Sequence, residues 1–195
     1  MHKWGLVNFD CSALFVRDRR SLVSALSVTP LAILRNDATD SGLVTDYKDW
    51  QIPFGRRLRS LKVWFVIRAY GIAGLRAHIR KHVGLAERFV ALLRGRPDLF
   101  EIVTGPRFAL TVFRLKGRGK GEGEGAAAAT LEEQNALTKR LYETVLAEGK
   151  IFLSSTVVGG VYAIRHNPAT PFVEERHVDK HFEIFVQAAE KTLAQ

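Results

Sequence analysis

The order of predicted elements in the C-terminal half of the chain indicates an α+β fold, an antiparallel sheet with helices packed on one face. Two apolar runs typical of strands lie between residues 99 and 115, and two more flank Gly159-Gly160, a pair typical of a β-hairpin turn. A helical periodicity follows each pair of strands. From Phe100 onward the order is therefore β-β-α-β-β-α, which is the order of an α+β unit.

The N-terminal residues carry weaker signals. Gly5–Phe9 and Ser12–Val16 are short apolar runs that suit buried strands, and Ser21–Leu26 is a weak short helix. Two strands are too few to form a stable sheet alone. We therefore expect residues 1–60 to be the end of a larger domain.

Residues 27–54 show little periodicity, which predicts a long loop that is either functional or disordered. Two helices follow, Arg56–Ala69 and Ile72–Arg94, separated at Gly71. Apolar residues recur on one face of each predicted helix, at Leu58, Leu61, Phe65 and Ala69, and then at Leu75, Ile79, Val83, Ala86, Phe89 and Leu93.

The predicted α+β unit spans residues 99–195. Thr130 and Glu133 form a capping-box pattern at the start of its first helix. The low-complexity stretch Gly117–Ala129 cannot bury apolar surface, so we expect a flexible surface loop. The predicted strands and helices are Leu99–Val103, Phe108–Leu115, Thr130–Ala147, Ile151–Val158, Gly160–Arg165 and Val173–Leu193.

The net charge of +9 belongs to one segment of the 195 residues. Arg56–Arg96 holds 11 Lys or Arg and one acid, Glu87, a local charge of +10. Such a segment can bind nucleic acid or an anionic membrane, or it can be the solvated face of amphipathic helices. Its basic residues largely lie outside the apolar face of the predicted helices. No aromatic residues alternate with them, as proteins that bind single-stranded nucleic acid need for base stacking. We expect neither a nucleic-acid nor a membrane partner.

The chain has a single cysteine, Cys11, which excludes an internal disulfide and a cysteine zinc site. This favours a reducing compartment, the cytoplasm, with Cys11 as a small core residue. No apolar run approaches the roughly 20 residues that cross a bilayer, and the N-terminus has no secretory leader pattern.

Several runs of residues, in the correct order, resemble the pyridoxal-phosphate-dependent group II decarboxylases, most closely the aromatic-L-amino-acid decarboxylases. His2-Lys3-Trp4 with the following Leu6–Ala13 resembles the family's cofactor-lysine segment. The runs that resemble the family's later segments are Ser41–Pro53, Gly55–Val66, Tyr70–Leu75 and His78–Val83.

The resemblance implies an α/β fold-type-I pyridoxal phosphate enzyme. Residues 1–60 would be the C-terminal remnant of its large cofactor domain, including a mobile loop. Residues 61–195 would be the C-terminal α+β small domain, with linking helices at 57–94 and the α+β unit at 99–195.

The resemblance also assigns roles to the first residues. Lys3 would hold pyridoxal 5'-phosphate as a Schiff base, and His2 would lie near the cofactor phosphate or the substrate carboxylate. An amine condenses with the cofactor aldehyde, and the ring takes up the electrons released as carbon dioxide leaves. The implied enzyme is a homodimeric lyase that decarboxylates an aromatic L-amino acid and uses no metal.

One departure concerns the family's mobile loop, which carries a tyrosine that reprotonates the substrate carbon. Here Thr29–Asn36 has no tyrosine, and Ala32 or Ile33 occupies its place. Relatives that lack the tyrosine form aldehydes by oxidative deamination. Tyr47 belongs to a separate match and is not the missing acid.

A second departure is that the family's segments upstream of the lysine, which hold the cofactor phosphate and ring, do not precede His2. We therefore expect these 195 residues alone to be inactive and poorly soluble. The alternative to an enzyme is a non-catalytic remnant that pairs with a full-length relative through the helices of Arg56–Arg96.

Overall fold

The computed structural model describes residues 1–27, 37–117 and 129–194. The chain divides into two compact units, Met1–Gly71 and Ile72–Gln195. Most of the predicted loop Gly117–Ala129, and residues 28–36 of the loop that includes the expected tyrosine position, lie outside the described residues.

The first unit is built from short helices and irregular backbone. Helix α1 spans Arg19–Leu26 and α2 spans Asp37–Asp40, while Tyr47–Trp50 forms a 3-10 helix. Asp18 caps α1 because its carboxylate accepts a hydrogen bond from the backbone nitrogen of Arg20, at 2.9 Å. The predicted short helix in this segment is confirmed.

The strands predicted at Gly5–Phe9 and Ser12–Val16 are wrong. Residues 4–5 form a turn, and the rest of both segments is irregular or bent backbone. Val7 is buried, but Phe9 is 72% exposed and Phe15 is 91% exposed, so neither run is buried along its length as a core strand would be. No strand within the described part of the first unit could pair with them, and an unpaired strand gains no ladder hydrogen bonds.

Helix α3 spans Arg59–Arg94 and includes both predicted helices except residues 56–58. Gly71 has φ 60° and ψ 179°, which interrupts the helical backbone at the predicted break. The two halves of the helix differ in burial. Ala86, Phe89 and Leu93 are buried as predicted, whereas Leu58, Leu61 and Phe65 of the first predicted stripe are exposed.

The second unit contains four strands and two further helices: β1 Phe100–Arg107, β2 Leu110–Leu115, α4 Leu131–Ala147, β3 Ser154–Val158, β4 Val161–His166 and α5 Glu175–Leu193. The sheet order is β1-β2-β4-β3, and every neighbouring pair is antiparallel. Gly159 and Gly160 both have positive φ and close the β3–β4 hairpin. The predicted antiparallel α+β unit is confirmed, with boundaries shifted by up to four residues.

Aromatic rings and aliphatic side chains form one core between the sheet, α4, α5 and the second half of α3. Phe113 on β2 is fully buried, and its ring lies 5.0 Å from that of Phe185 and 5.5 Å from that of Phe89, measured between centroids. Thr130 and Glu133 cap α4 reciprocally, which confirms the predicted capping box.

Basic residues in the second half of α3 and just after its end pair with carboxylates of the same unit. Arg88 binds Asp179 through two parallel bonds of 2.7 and 2.8 Å, and Arg96 pairs with Asp98 at 2.9 Å and with Glu190 at 3.2 Å. These pairs agree with the interpretation of the basic segment as a solvated helix face. None of the helices in the described residues combines the length and apolar character that a membrane span requires.

Candidate active site

His2 and Lys3 lie in an irregular turn at the start of the first unit, and both side chains are exposed. The backbone nitrogen of Leu6 donates to the carbonyl oxygen of Lys3 at 2.9 Å, and that of Val7 donates to the carbonyl oxygen of Met1 at 3.3 Å. Val7 is 3% exposed and anchors the turn. The turn therefore presents the amine-bearing side chain of Lys3 on its surface.

The turn requires glycine at position 5 because the backbone of Met1 lies very close to it. A Cβ atom at Gly5 would lie 2.6 Å from the carbonyl oxygen of Met1, which is closer than real Cβ atoms come. The sequence Lys3-Trp4-Gly5 thus suits the turn because its third residue has no side chain.

The ring of His2 packs edge-on against the ring of Phe9, with centroids 5.3 Å apart and an interplanar angle of 79°. This contact orients the imidazole within the same short segment that carries Lys3. An aromatic pair in this geometry is one of the favoured arrangements.

A carboxylate that sequence reasoning missed ties this segment to helix α3. Asp10 accepts a hydrogen bond from Arg57 Nη1 at 2.8 Å on one oxygen and from Arg59 Nη2 at 3.1 Å on the other. Hydrogen bonding to Arg59 is the largest cause that lowers the pKa of Asp10 below its usual value. We call Asp10, Arg57 and Arg59 the Asp10 cluster.

Sequence reasoning missed the Asp10 cluster because its members lie 47 and 49 residues apart along the chain. Sequence patterns connect residues a few positions apart, so none of them pairs an acidic residue with arginines this far along the chain. The prediction of Cys11 as a core residue also failed, since Cys11 is only partly buried and its Sγ lies 3.9 Å from the carbonyl oxygen of Arg59.

A cleft of about 650 Å³ opens beside the Asp10 cluster. Arg56 also lines it, and the Arg56 guanidinium lies over the ring of Tyr47, 4.1 Å from its centroid. Three guanidinium groups and one carboxylate give the lining of this cleft a net positive charge. Its lining residues are Asp10, Cys11, Ser12, Gln51, Pro53, Gly55, Arg56, Arg57 and Arg59.

Charged side chains within residues 46–49 form ion pairs with one another. Lys48 Nζ lies 2.6 Å from Asp46 Oδ2 and 3.1 Å from Asp49 Oδ2, and the hydrogen bond to Asp46 is the largest cause that raises the pKa of Lys48. Arg19 of α1 donates to the hydroxyl of Thr45 at 2.7 Å. The bond between Arg19 and Thr45 joins this segment to α1.

Across residues 1–27, 37–117 and 129–194, no group of three or more His, Cys, Asp or Glu side chains is placed to hold a metal ion. The candidate site consists of the His2-Lys3 turn, the Asp10 cluster and the adjoining cleft.

Among known protein families, the pyridoxal-dependent decarboxylase conserved domain matches residues 1–116. Among curated proteins, the chain is 43% identical to tryptophan decarboxylase 2 of Oryza sativa subsp. japonica over 196 residues, which is 100% of this chain and 37% of that protein. It is 43% identical to a phenylacetaldehyde synthase of Arabidopsis thaliana, over 96% of this chain and 36% of that protein. It is 42% identical to the aromatic-L-amino-acid decarboxylase of Cavia porcellus, over 98% of this chain and 36% of that protein.

The fold has a close counterpart among solved structures. The crystal structure of Oryza sativa TDC with PLP and tryptamine superposes with a TM-score of 0.79 and 40% sequence identity, over 91% of this chain and 35% of that one. The chain therefore spans little more than a third of the length of the relatives that it matches.

Proposed function

Since the chain belongs to the pyridoxal-dependent decarboxylase family, whose cofactor is pyridoxal phosphate, we propose that it supplies the cofactor lysine, Lys3, to an enzyme that decarboxylates an aromatic L-amino acid. One observation carries this proposal. The family match includes the His2-Lys3 turn and runs in order to residue 116. Relatives in this family include both decarboxylases of aromatic amino acids and aldehyde synthases.

The residues of the turn suit pyridoxal phosphate. A covalent anchor needs a primary amine that the cofactor aldehyde can reach, and Lys3 presents its amine from an exposed position on a held turn. When bound, the cofactor ring accepts the electron pair left on the substrate carbon as carbon dioxide departs. His2, which the Phe9 ring orients, would interact with the cofactor phosphate or the substrate carboxylate.

We propose that residues 1–60 complete a large cofactor-binding domain and that residues 61–195 form a small domain. The enzyme would act as a homodimer in the cytoplasm, a compartment that suits a chain with the single cysteine Cys11. Residues 1–195 alone would not decarboxylate amino acids, because the exposed Lys3 turn does not by itself enclose a cofactor and exclude water.

A second candidate function is aldehyde formation. The segment Thr29–Asn36 contains no tyrosine, and a similar protein is a phenylacetaldehyde synthase. In this reaction the amino acid, dioxygen and water give an aldehyde, carbon dioxide, ammonia and hydrogen peroxide. Decarboxylation instead consumes one proton, which a general acid must deliver to the substrate carbon.

A third candidate is a non-catalytic partner of a full-length relative. The observation in its favour is the exposed apolar surface on the first half of α3, where Trp64 is 54% and Phe65 is 58% exposed. An exposed stripe of this kind is typical of an interaction surface. Co-purification with a full-length decarboxylase that fails when Phe65 is changed to Ser would support this candidate.

The test of the proposed function is a chimera. The chain would replace the segment of rice tryptophan decarboxylase 2 to which it is 43% identical, so that Lys3 becomes the only cofactor lysine. Amine and carbon dioxide from an aromatic amino acid would support the decarboxylase, whereas aldehyde with hydrogen peroxide would support the second candidate. A chimera with Lys3→Ala controls for the anchor. If that variant retains the activity of the unsubstituted chimera, the assignment of Lys3 is wrong.

A further inference from the structure

The structure suggests how the turn that carries Lys3 is kept in place. Residues 6–17 form no strand and no helix, so the backbone has no ladder that could fix it. Irregular backbone of this kind is held by side-chain contacts. These contacts come from residues 57–62, at and just before the start of α3. Lys62 Nζ donates to the carbonyl oxygen of Asn8 at 2.8 Å, and Arg57 and Arg59 bind Asp10.

We infer that Asp10 is a positioning residue for Lys3, because its carboxylate joins the lysine-bearing turn to Arg59, the first residue of α3, and to Arg57 just before it. The inference rests on the proposed function of Lys3 as the cofactor anchor. Asp10 itself lies seven residues after Lys3 and acts through the backbone between them.

Asp10 is suited to this role by its geometry. Each carboxylate oxygen binds a different guanidinium, with Oδ1 accepting from Arg57 and Oδ2 from both Nε and Nη2 of Arg59. Contacts on both oxygens fix the plane of the carboxylate as well as its position. Charge-assisted hydrogen bonds such as these are stronger than hydrogen bonds between neutral groups. The side chain of Asp10 is 40% exposed, so the expected consequence is orientation of the segment more than global stability.

Backbone contacts lead from Asp10 to the turn. The nitrogen of Met1 donates to the carbonyl oxygen of Cys11 at 3.2 Å, and the carbonyl oxygen of Met1 accepts from Val7 at 3.3 Å. Lys3 lies between Met1 and Val7, and its own carbonyl oxygen accepts from Leu6. Fixing residues 10 and 11 therefore fixes both ends of the lysine turn.

The position of the lysine amine matters for the chemistry. A reacting group that is misplaced by about 1 Å can lose on the order of a hundredfold in rate. Loss of the Asp10 cluster would leave Lys3 in the sequence but would let its turn sample other positions. The predicted defect is in reaction at Lys3, with the second unit unaffected.

The experiment compares Asp10→Asn with Asp18→Asn in the full chain. Asp18 is a matched control, since it is also a partly exposed aspartate paired with an arginine of the first unit, and asparagine preserves its cap on α1. Two measurements are made on each protein. The first is hydrogen exchange of the Leu6 and Val7 amides, and the second is borohydride trapping of pyridoxal phosphate on Lys3, relative to trapping on the exposed Lys139.

For Asp10→Asn we expect about tenfold faster exchange at Leu6 and Val7, with unchanged exchange at the core residue Phe113, and a lower ratio of Lys3 to Lys139 trapping. Asp18→Asn should change neither measurement. Unchanged exchange and unchanged trapping in Asp10→Asn would overturn the inference. In the unsubstituted chain, trapping that does not favour Lys3 would count against the proposed function, while the exchange data would still decide the role of Asp10.

A reversed pair separates positioning from loss of the fold. Asp10→Arg combined with Arg59→Asp restores one ion pair with the charges exchanged, and we expect it to recover slow exchange at Leu6 and Val7. If the reversed pair exchanges as fast as Asp10→Arg alone, the ion pair does not hold the turn and the inference fails.

Discussion

His166 Nε2 lies 3.0 Å from His181 Nδ1, which joins the end of β4 to α5 through a hydrogen bond between two imidazoles. The ring of His166 also stacks on Phe89, with centroids 3.8 Å apart and an interplanar angle of 25°. Burial lowers the pKa of His166 to about 3, and burial also lowers the pKa of His181. Both rings are therefore neutral at pH 7, and one donates to the other.

This pair predicts that acid destabilises the protein before its carboxylates titrate. The pKa of His166 in the folded state lies below its ordinary value of 6.5, so the unfolded chain binds more protons between these values. The stabilisation is complete above pH 6.5 and is lost as the pH falls toward 3. In urea unfolding between pH 6.5 and 5, we expect His166→Phe to reduce the slope of the unfolding free energy by up to about 1.4 kcal/mol per pH unit. The exposed His2, changed to Gln, serves as control, and an unaltered slope in His166→Phe would contradict the prediction.

Phe113 is predicted to be a major determinant of core stability. Its fully buried ring meets those of Phe89, Phe100 and Phe185. Phe113→Ala should lower the free energy of unfolding by about 3–5 kcal/mol, because it removes buried apolar surface and leaves a cavity. The free energy of unfolding is measured by urea titration, with unfolding monitored by circular dichroism. Phe172, which is 86% exposed, provides the control, and Phe172→Ala should cost less than about 0.5 kcal/mol.

The start of α4 permits a matched test of a capping box. Glu133 accepts a bond from the backbone nitrogen of Thr130 at 2.9 Å, and Glu132 lies in the same first turn without belonging to the box. Both changes to Ala remove a negative charge near the helix N-terminus. Glu133→Ala should therefore cost about 0.5–1 kcal/mol more than Glu132→Ala in thermal unfolding. Equal losses would mean that the charge alone matters.

The ion pair between Arg88 and Asp179 is expected to contribute little to stability, despite bonds of 2.7 and 2.8 Å. Both side chains are about two-fifths exposed, and water screens such pairs. A double-mutant cycle with Arg88→Gln and Asp179→Asn should give a coupling energy below about 1 kcal/mol. A coupling of several kcal/mol would show that this pair is a main link between α3 and α5.

The sequence predicted the second unit well because its signals are local. Thr130 and Glu133 bracket one turn of helix, and Gly159-Gly160 closes a hairpin between adjacent strands. The first unit was predicted poorly because a run such as Ser12–Val16 is apolar whether or not a neighbouring strand exists. Apolar composition favours burial, but a strand also requires a partner for its backbone.

For the candidate site, resemblance pointed to Lys3 and His2, whose roles stay predictions. The residue that the structure adds is Asp10, which contacts Arg57 and Arg59 only because the fold returns the chain to that point. Contacts between residues so far apart along the chain leave no periodic pattern in the sequence from which they could be predicted. Physical reasoning from one sequence can therefore identify a reactive group more readily than the groups that hold it.

The backbone of Gly71 has a consequence for natural variation in this protein. Its dihedral angles, φ 60° and ψ 179°, lie in a region that is essentially restricted to glycine. A Cβ atom at this position would meet nothing within 4 Å, so the space around it is open. The cost of replacing Gly71 then comes from the main chain alone and is nearly the same for alanine as for tryptophan. In a mutational scan, all missense changes at this codon should be depleted to a similar extent whatever the size of the new side chain, while the adjacent Ile72 codon, whose side chain is 71% exposed, should tolerate many changes.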